Sequence, residues 1–266
     1  MTKSETVLEI AGATKEYRTN YFLPRLFSRP TGFPALNNVS LSVKKGEVLG
    51  IIGESGSGKT TLGKSIVNLT KLDQGDIKLF GEKTNGLSQK KFRPLRKDIQ
   101  MIFQDLDAAL NSNMKTNQIF WEIYRTHYPK QKAQYHKIIN EILDDVYLTN
   151  SVLNKFPTEL SGGQKRRVSI AAVLLVKPKI IIADEPTSGL DAHVQRLIMH
   201  LLQKLQRQNG LTLVLISHDL GLVKEICQQI AVMYRGTIVE TGSIQKIFHQ
   251  PTHAYTQQLI SAYQQL

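Results

Sequence analysis

Apolar residues fall into three patterns along this chain. Val7-Leu8-Glu9-Ile10 and Val39 to Val43 alternate as half-buried strands do. Val48-Leu49-Gly50-Ile51-Ile52, Ile180-Ile181-Ile182-Ala183 and Leu213-Val214-Leu215-Ile216 are short continuous apolar runs, the pattern of strands covered on both faces. The third pattern is helical: Ile138, Ile139, Ile142, Leu143 and Val146 share one face of a helix predicted over Gln134 to Val146, and Lys165 to Val176 reads as another. Helix-like segments separate the buried runs, which argues for an α/β fold with a mostly parallel sheet. From Gln104 to Leu160 the pattern becomes long, polar-rich and helical, so a helical lobe is expected between two parts of the sheet. Arg18 to Pro34 holds three prolines and mixes Arg18, Arg25 and Arg29 with Phe22, Phe27 and Phe33. It reads as a projecting loop, with contact to a membrane surface as the alternative.

The run Val48 to Ile52 leads into Gly53-Glu54-Ser55-Gly56-Ser57-Gly58-Lys59-Thr60-Thr61, and a helix-like stretch follows. Glycines let a backbone turn tightly and aim several N–H groups at one point, while the start of a helix adds partial positive charge there. Strand, glycine-rich turn and helix together predict a phosphate-binding loop with polyphosphate as its guest. Lys59 is expected to reach the β- and γ-phosphates, and the Thr60 hydroxyl to bind Mg²⁺.

Two further segments carry candidate chemistry. Asp184-Glu185 ends the run Ile180 to Ala183, placing two carboxylates at the carboxyl end of a strand, where open α/β sheets bind ligands. Asp184 is expected to hold Mg²⁺, largely through water, and Glu185 to polarise the water that attacks the γ-phosphate. Leu160-Ser161-Gly162-Gly163-Gln164 offers a second glycine-rich helix start. Ser161 also suits a purely local N-cap. One nucleotide rarely needs two phosphate cradles, so the second is expected to cap a nucleotide held by another subunit.

Composition narrows the setting. The 266 residues include 34 Lys and Arg against 22 Asp and Glu, a net charge of +12, which suits polyanions or an anionic membrane face. Most basic residues, among them Lys90-Lys91, Arg93, Arg96-Lys97 and Lys165-Arg166-Arg167, read as solvated surface. Cys227 is the only cysteine, which excludes an internal disulfide or a cysteine-built metal site and fits a reducing cytosol. Met1 to Glu5 lacks a signal pattern, and runs such as Ile170 to Val176 are too short to span a bilayer.

Gly53 to Thr61, Gln104, Leu160 to Gln164, Asp184-Glu185, Ser188-Gly189-Leu190-Asp191 and His218 stand in the order and approximate spacing of an ABC-transporter ATPase, and the chain resembles that family over nearly its whole length. The resemblance implies a P-loop NTPase core with a mostly parallel sheet, an antiparallel β subdomain and an inserted helical subdomain. Residues 1–104 and 166–245 would form the nucleotide-binding core, 105–165 the helical subdomain with the signature, and 246–266 a short C-terminal extension. It also implies two such subunits head to tail with two ATP molecules between them, each held by one phosphate loop (Gly53, Ser55, Gly56, Ser57, Gly58, Lys59, Thr60, Thr61) and the opposing signature (Ser161, Gly162, Gly163, Gln164). Tyr17 matches the aromatic that stacks on adenine, or simply closes the first strand. Gln104 matches the glutamine that contacts Mg²⁺ and senses the transmembrane subunit. His218, directly after a buried strand, is similar to the switch histidine at the γ-phosphate, and Asp191 to the aspartate of the loop crossing the dimer interface.

Finer resemblance points to the oligopeptide, dipeptide and nickel importers: the long segment before Ala35-Leu36-Asn37-Asn38-Val39-Ser40, the pair Gln104-Asp105, and Pro251-Thr252-His253-Ala254-Tyr255-Thr256 near the end. The last usually reads His-Pro-Tyr-Thr, and here Ala254 replaces the proline. Leu106 to Asn111 likewise departs from the usual Pro-x-x-Ser-Leu-Asn. Many relatives carry a cysteine-containing tail that binds an iron–sulfur cluster; this chain has no tail cysteine, and no cluster is expected. The partners implied are a related, nonidentical ATPase, two permease subunits and an extracytoplasmic solute-binding protein, with the chain on the cytoplasmic face of the cell membrane. Peptide is the expected cargo and nickel or a metal chelate the nearest rival. A nucleic-acid-associated ATPase of the same family is disfavoured because neither a long coiled-coil insertion nor a second cassette is present, and intact Glu185 and His218 argue against a subunit that only binds ATP.

Overall fold

The computed structural model describes residues 5–18, 32–105 and 110–264. Most of the expected projecting loop, residues 19–31, lies outside them, as do Leu106 to Ala109. In chain order the strands are β1 (Thr6–Arg18), β2 (Gly32–Lys44), β3 (Val48–Ile52), β4 (Gln74–Leu79), β5 (Glu82–Lys83), β6 (Ile99–Ile102), β7 (Ile180–Asp184), β8 (Thr212–Ile216), β9 (Gln229–Tyr234) and β10 (Thr237–Ser243). The helices that matter below are α1 (Lys59–Ile66), α2 (Thr116–His127), α3 (Tyr135–Asp145), α4 (Gly162–Leu174), α5 (Ala192–Asn209), α6 (Leu220–Ile226), α7 (Ile244–His249) and α8 (Ala254–Gln264). The chain forms two compact units, Met1–Phe92 with Ile216–Leu266, and Arg93–Leu215.

In the first unit, β2, β1, β4 and β5 make an antiparallel sheet in that order. The alternation seen in sequence is its cause: Leu8, Ile10 and Ala13 of β1 and Leu36, Val39 and Val43 of β2 turn to the buried side. Register shifts between Ile10 and Ala13 bend the pair. Beside this sheet, all five residues of β3 are buried, and β3 pairs in parallel with β9, which pairs antiparallel with β10. Leu62 and Ile66 of α1, Val223 and Ile226 of α6, and Ile247, Phe248 and Ile260 of the last two helices complete the core, each contributing about 1.5–3 kcal/mol by burial. Cys227 is buried among them, and that burial pushes its thiol up to about 12.

In the second unit, β6 and β7 run parallel with Ile99 opposite Ile180 and Ile102 opposite Ala183, and β8 lies next to β7. Every residue of β7 and β8 is buried, as continuous apolar runs require. Helices occupy the polar-rich stretch. The face expected on α3 is the one observed, with Ile139, Ile142, Leu143 and Val146 buried and Ile138 half-buried. Trp121 and Tyr124 of α2 meet Tyr135 of α3 with ring centroids 4.9 and 5.4 Å away. The start of α2 is fixed by Thr116, whose N–H and hydroxyl both donate to the Lys155 carbonyl at 2.9 and 3.0 Å.

Candidate active site

The phosphate loop connects β3 to α1, and its shape depends on two glycines. A Cβ on Gly53 would overlap the Met233 carbonyl oxygen, and one on Gly58 the Ala35 carbonyl oxygen. Their φ angles of 149° and 103° also fall where side chains are disfavoured. Gly58 N-caps α1 without a side-chain hydrogen bond, and the first turn of α1 holds no acidic residue. The Lys59 ammonium donates to the carbonyls of Gly53 and Glu54, both at 2.7 Å, and to the Ser57 hydroxyl at 3.3 Å. A buried lysine beside a helix start whose cap is a glycine and whose first turn holds no carboxylate is a donor set for a polyanion, so the residues present fit a nucleotide's phosphates.

The loop is braced from outside by the β9–β10 hairpin, where Gly236 N–H donates to the Ser57 carbonyl at 3.0 Å. Between hairpin and loop opens a cleft of about 350 Å³ lined by Pro34, Glu54, Ser55, Gly56, Ser57, Tyr234 and Arg235. His218 is exposed in the turn between β8 and α6. Ser217 ties that turn to β3 through its N–H to the Ile51 carbonyl at 3.2 Å, and its hydroxyl accepts from Asp219 N–H at 3.0 Å. Asp219 in turn caps α6 by accepting from Leu222 N–H at 3.1 Å. Tyr17 stands near the end of β1, 46% exposed, with the Lys15 ammonium 5.7 Å from its ring centroid.

In the second unit, parallel pairing of β6 and β7 sends Gln104 and Asp184-Glu185 out at the same end of the two strands. Gln104 is exposed, whereas Asp184 and Glu185 are buried. Glu185 takes a left-handed backbone with φ of 48°, uncommon for a residue with a side chain and typical of functional turns. Two turns follow, Ser188 N–H to the Glu185 carbonyl and Leu190 N–H to the Thr187 carbonyl, and deliver Asp191 to the start of α5. There Asp191 accepts from the N–H groups of Val194 and His193 at 3.0 and 3.1 Å. The Val194 bond above all holds its carboxyl below the ordinary carboxylate range.

Helix α4 begins at Gly162, three residues ahead of the expected Lys165, because Ser161 and Gln164 form a reciprocal capping box, each side chain bonding the other's N–H at 3.2 Å. A Cβ on Gly163 would lie 3.0 Å from Val194 Cγ1, so the signature and the Asp191 turn approach closely. One residue that sequence reasoning passed over joins this group. Arg166, read among solvated basic residues, is 2% exposed, and its guanidinium donates to the carbonyls of Phe103 and Gln104 at 2.7 and 3.2 Å. Its helical spacing from the buried Ile170 and Val173 is the signal that would have found it.

The sequence profile described as ABC transporter matches residues 36–188, more than half the chain. This chain belongs to the ABC transporter family. The oligopeptide transport ATP-binding protein OppF of Streptococcus mutans is 47% identical over 229 residues, covering 86% of this chain and 74% of that protein. OppF of Escherichia coli is 39% identical over 259 residues, 97% of this chain and 78% of that protein, and AppF of Bacillus subtilis is 40% identical over 262 residues. Among solved structures, the post-hydrolysis dimer of the ATP-binding cassette MJ0796 bound to ADP and Pi matches with a TM-score of 0.79 and 30% identity, over 89% of this chain and 98% of that one. CbiO1 of Clostridium perfringens matches with a TM-score of 0.77 and 29% identity, over 92% of both chains. The fold is thus the expected ABC ATPase cassette, and as an ABC-transporter ATPase the chain binds nucleotide and hydrolyses ATP.

Proposed function

We propose that this chain is the ATP-hydrolysing subunit that drives peptide uptake through partner permeases. The observation that carries the reading is the phosphate loop itself, a glycine-capped, acid-free helix start with the Lys59 ammonium held against the loop's own carbonyls. The choice of peptide rests on likeness to the oligopeptide transport proteins of Streptococcus mutans, Escherichia coli and Bacillus subtilis. Gly53 to Thr61 hold the β- and γ-phosphates, and Tyr17 stacks on the adenine. Thr60, Gln104 and Asp184 would hold Mg²⁺, which when bound neutralises charge on the phosphate oxygens. Glu185 accepts a proton from the water whose oxygen bonds to the γ-phosphorus, while the bond from that phosphorus to the bridging oxygen breaks and ADP leaves with that electron pair. Lys59 and His218 stabilise charge on the transferring group. Ser161 to Gln164 serve the nucleotide of the opposing subunit, and Asp191 lies in the loop that faces it.

ATP bridges two surfaces in the closed pair only, so its binding energy favours closure, and hydrolysis releases it. The opposing subunit is a related, nonidentical ATPase, and both lie under two permeases supplied by a solute-binding protein. Among the described residues no helix is long and apolar enough to cross a membrane, and attachment at the cytoplasmic face comes through the permeases. In the assembled transporter, Glu185→Gln is expected to keep ATP binding while lowering turnover at least about 100-fold. Undiminished hydrolysis would remove Glu185 from its role. Uptake of labelled peptides, measured against Ni²⁺ uptake, tests the cargo.

A further inference from the structure

The motif Pro251 to Thr256 has no part in the chemistry above, yet the structure ties it to the phosphate loop. The Glu54 N–H donates to the Tyr255 hydroxyl at 2.9 Å. That N–H and the Gly53 carbonyl are the two ends of a single trans peptide plane and point in opposite directions. The carbonyl end receives the Lys59 ammonium at 2.7 Å. The peptide between Gly53 and Glu54 is therefore gripped on both sides, by Tyr255 and by the phosphate-binding lysine. Gly53, having no Cβ, would otherwise let this plane rotate.

Tyr255 is itself firmly placed. Its ring is 6% exposed and stacks on Tyr234 with centroids 4.1 Å apart, and the Arg235 guanidinium lies 5.0 Å from the Tyr234 ring. Its N–H donates to His253 Nδ1 at 3.2 Å. Ahead of it, the Glu240 carboxylate accepts from Thr252 N–H at 2.9 Å, the Thr252 hydroxyl at 2.8 Å and His253 N–H at 3.0 Å. The motif is a latch: Glu240 holds its first half, and α8 starts at once to present Tyr255.

We infer that Tyr255 is a positioning residue for ATP binding, fixing the Gly53–Glu54 peptide so that Lys59 and the loop are preorganised for the phosphates. The inference rests on the phosphate-loop reading of residues 53–61. It is tested on the full chain with a fluorescent ATP analogue, in wild type, Tyr255→Phe and Lys59→Ala, alongside melting temperature and exchange of the Glu54 amide proton. Tyr255→Phe keeps the stacked ring and removes only the acceptor. The expected result is a dissociation constant raised about fivefold, with the Glu54 amide losing about tenfold in protection and the melting temperature within about 2 °C of wild type. In the assembled transporter KM for ATP should rise by the same factor, with kcat within about twofold. Unchanged affinity in Tyr255→Phe, with Lys59→Ala still abolishing binding, overturns the inference and leaves the phosphate loop standing. A lowered melting temperature with unchanged affinity makes Tyr255 a packing residue and also overturns it. Equal nucleotide binding by wild type and Lys59→Ala removes the phosphate-loop reading, and this inference with it.

Discussion

Among the described residues α1 in the first unit and α4 in the second both begin at glycine-rich segments, and they are capped in different ways. At α1 no side chain caps the helix, the cap residue is a left-handed glycine, and lysine rather than carboxylate occupies the first turn. At α4 the Ser161 hydroxyl and the Gln164 amide already satisfy each other's N–H groups. A glycine cap puts no side chain in the way of an external anion, whereas a self-capped start must exchange partners to meet one. The contrast accords with the roles proposed above, a loop that keeps its own nucleotide and a signature that engages another subunit's nucleotide only on closure.

The largest expected effect that bears on this contrast comes from adding one methyl group at each start. Gly58→Ala puts a Cβ into the Ala35 carbonyl at a φ of 103°, and nucleotide affinity measured by fluorescence titration should fall at least about thirtyfold, matching about 2 kcal/mol of backbone strain. Gly162→Ala meets only Leu190 Cδ2 at 3.5 Å, so the isolated subunit should bind nucleotide as wild type does. Equal losses in the two variants would erase the distinction.

Next in size is Ser161→Ala, which removes the cap of α4 and should cost about 1 kcal/mol of stability in denaturant unfolding. No loss there would mean that α4 does not depend on its own cap. A separate expectation is a pH effect at the latch, where a charged acceptor replaces the neutral cap. Burial by itself would raise the Glu240 pKa, but the N–H groups of His253 and Thr252 outweigh it and bring the carboxyl from 4.5 to about 2. A pKa lowered on folding stabilises the folded state above pH 4.5, and the benefit is lost as pH falls from there toward about 2. Thermal melts of wild type across that window should decline more steeply than those of Glu240→Gln.

What the sequence made legible follows from local rules. Continuous apolar runs gave β3, β7 and β8, and helical spacing gave the buried face of α3, because those patterns are set by burial on one or both sides. The phosphate loop was legible because strand, glycines, lysine and helix are contiguous. Boundaries moved where a cap decided them, as at α4. Contacts between residues far apart in the chain, Glu54 with Tyr255 or Arg166 with Phe103, have no local signature and were not visible. The departure at Ala254 also finds a reason. It is the first residue of α8, a place where proline is favoured because the N–H needs no helical partner, and alanine, a strong helix former, is compatible with the same position.

Arg166 sets a mechanical condition on the second unit. Its guanidinium, shut away from water, is riveted to two consecutive carbonyls at the exit of β6 while its backbone belongs to α4. Prising it loose would strand a cation in a dry interior at a cost of about 3 kcal/mol or more. The helix and the 103–104 link therefore behave as crank and shaft, and any twist of one is felt by the other within the same stroke.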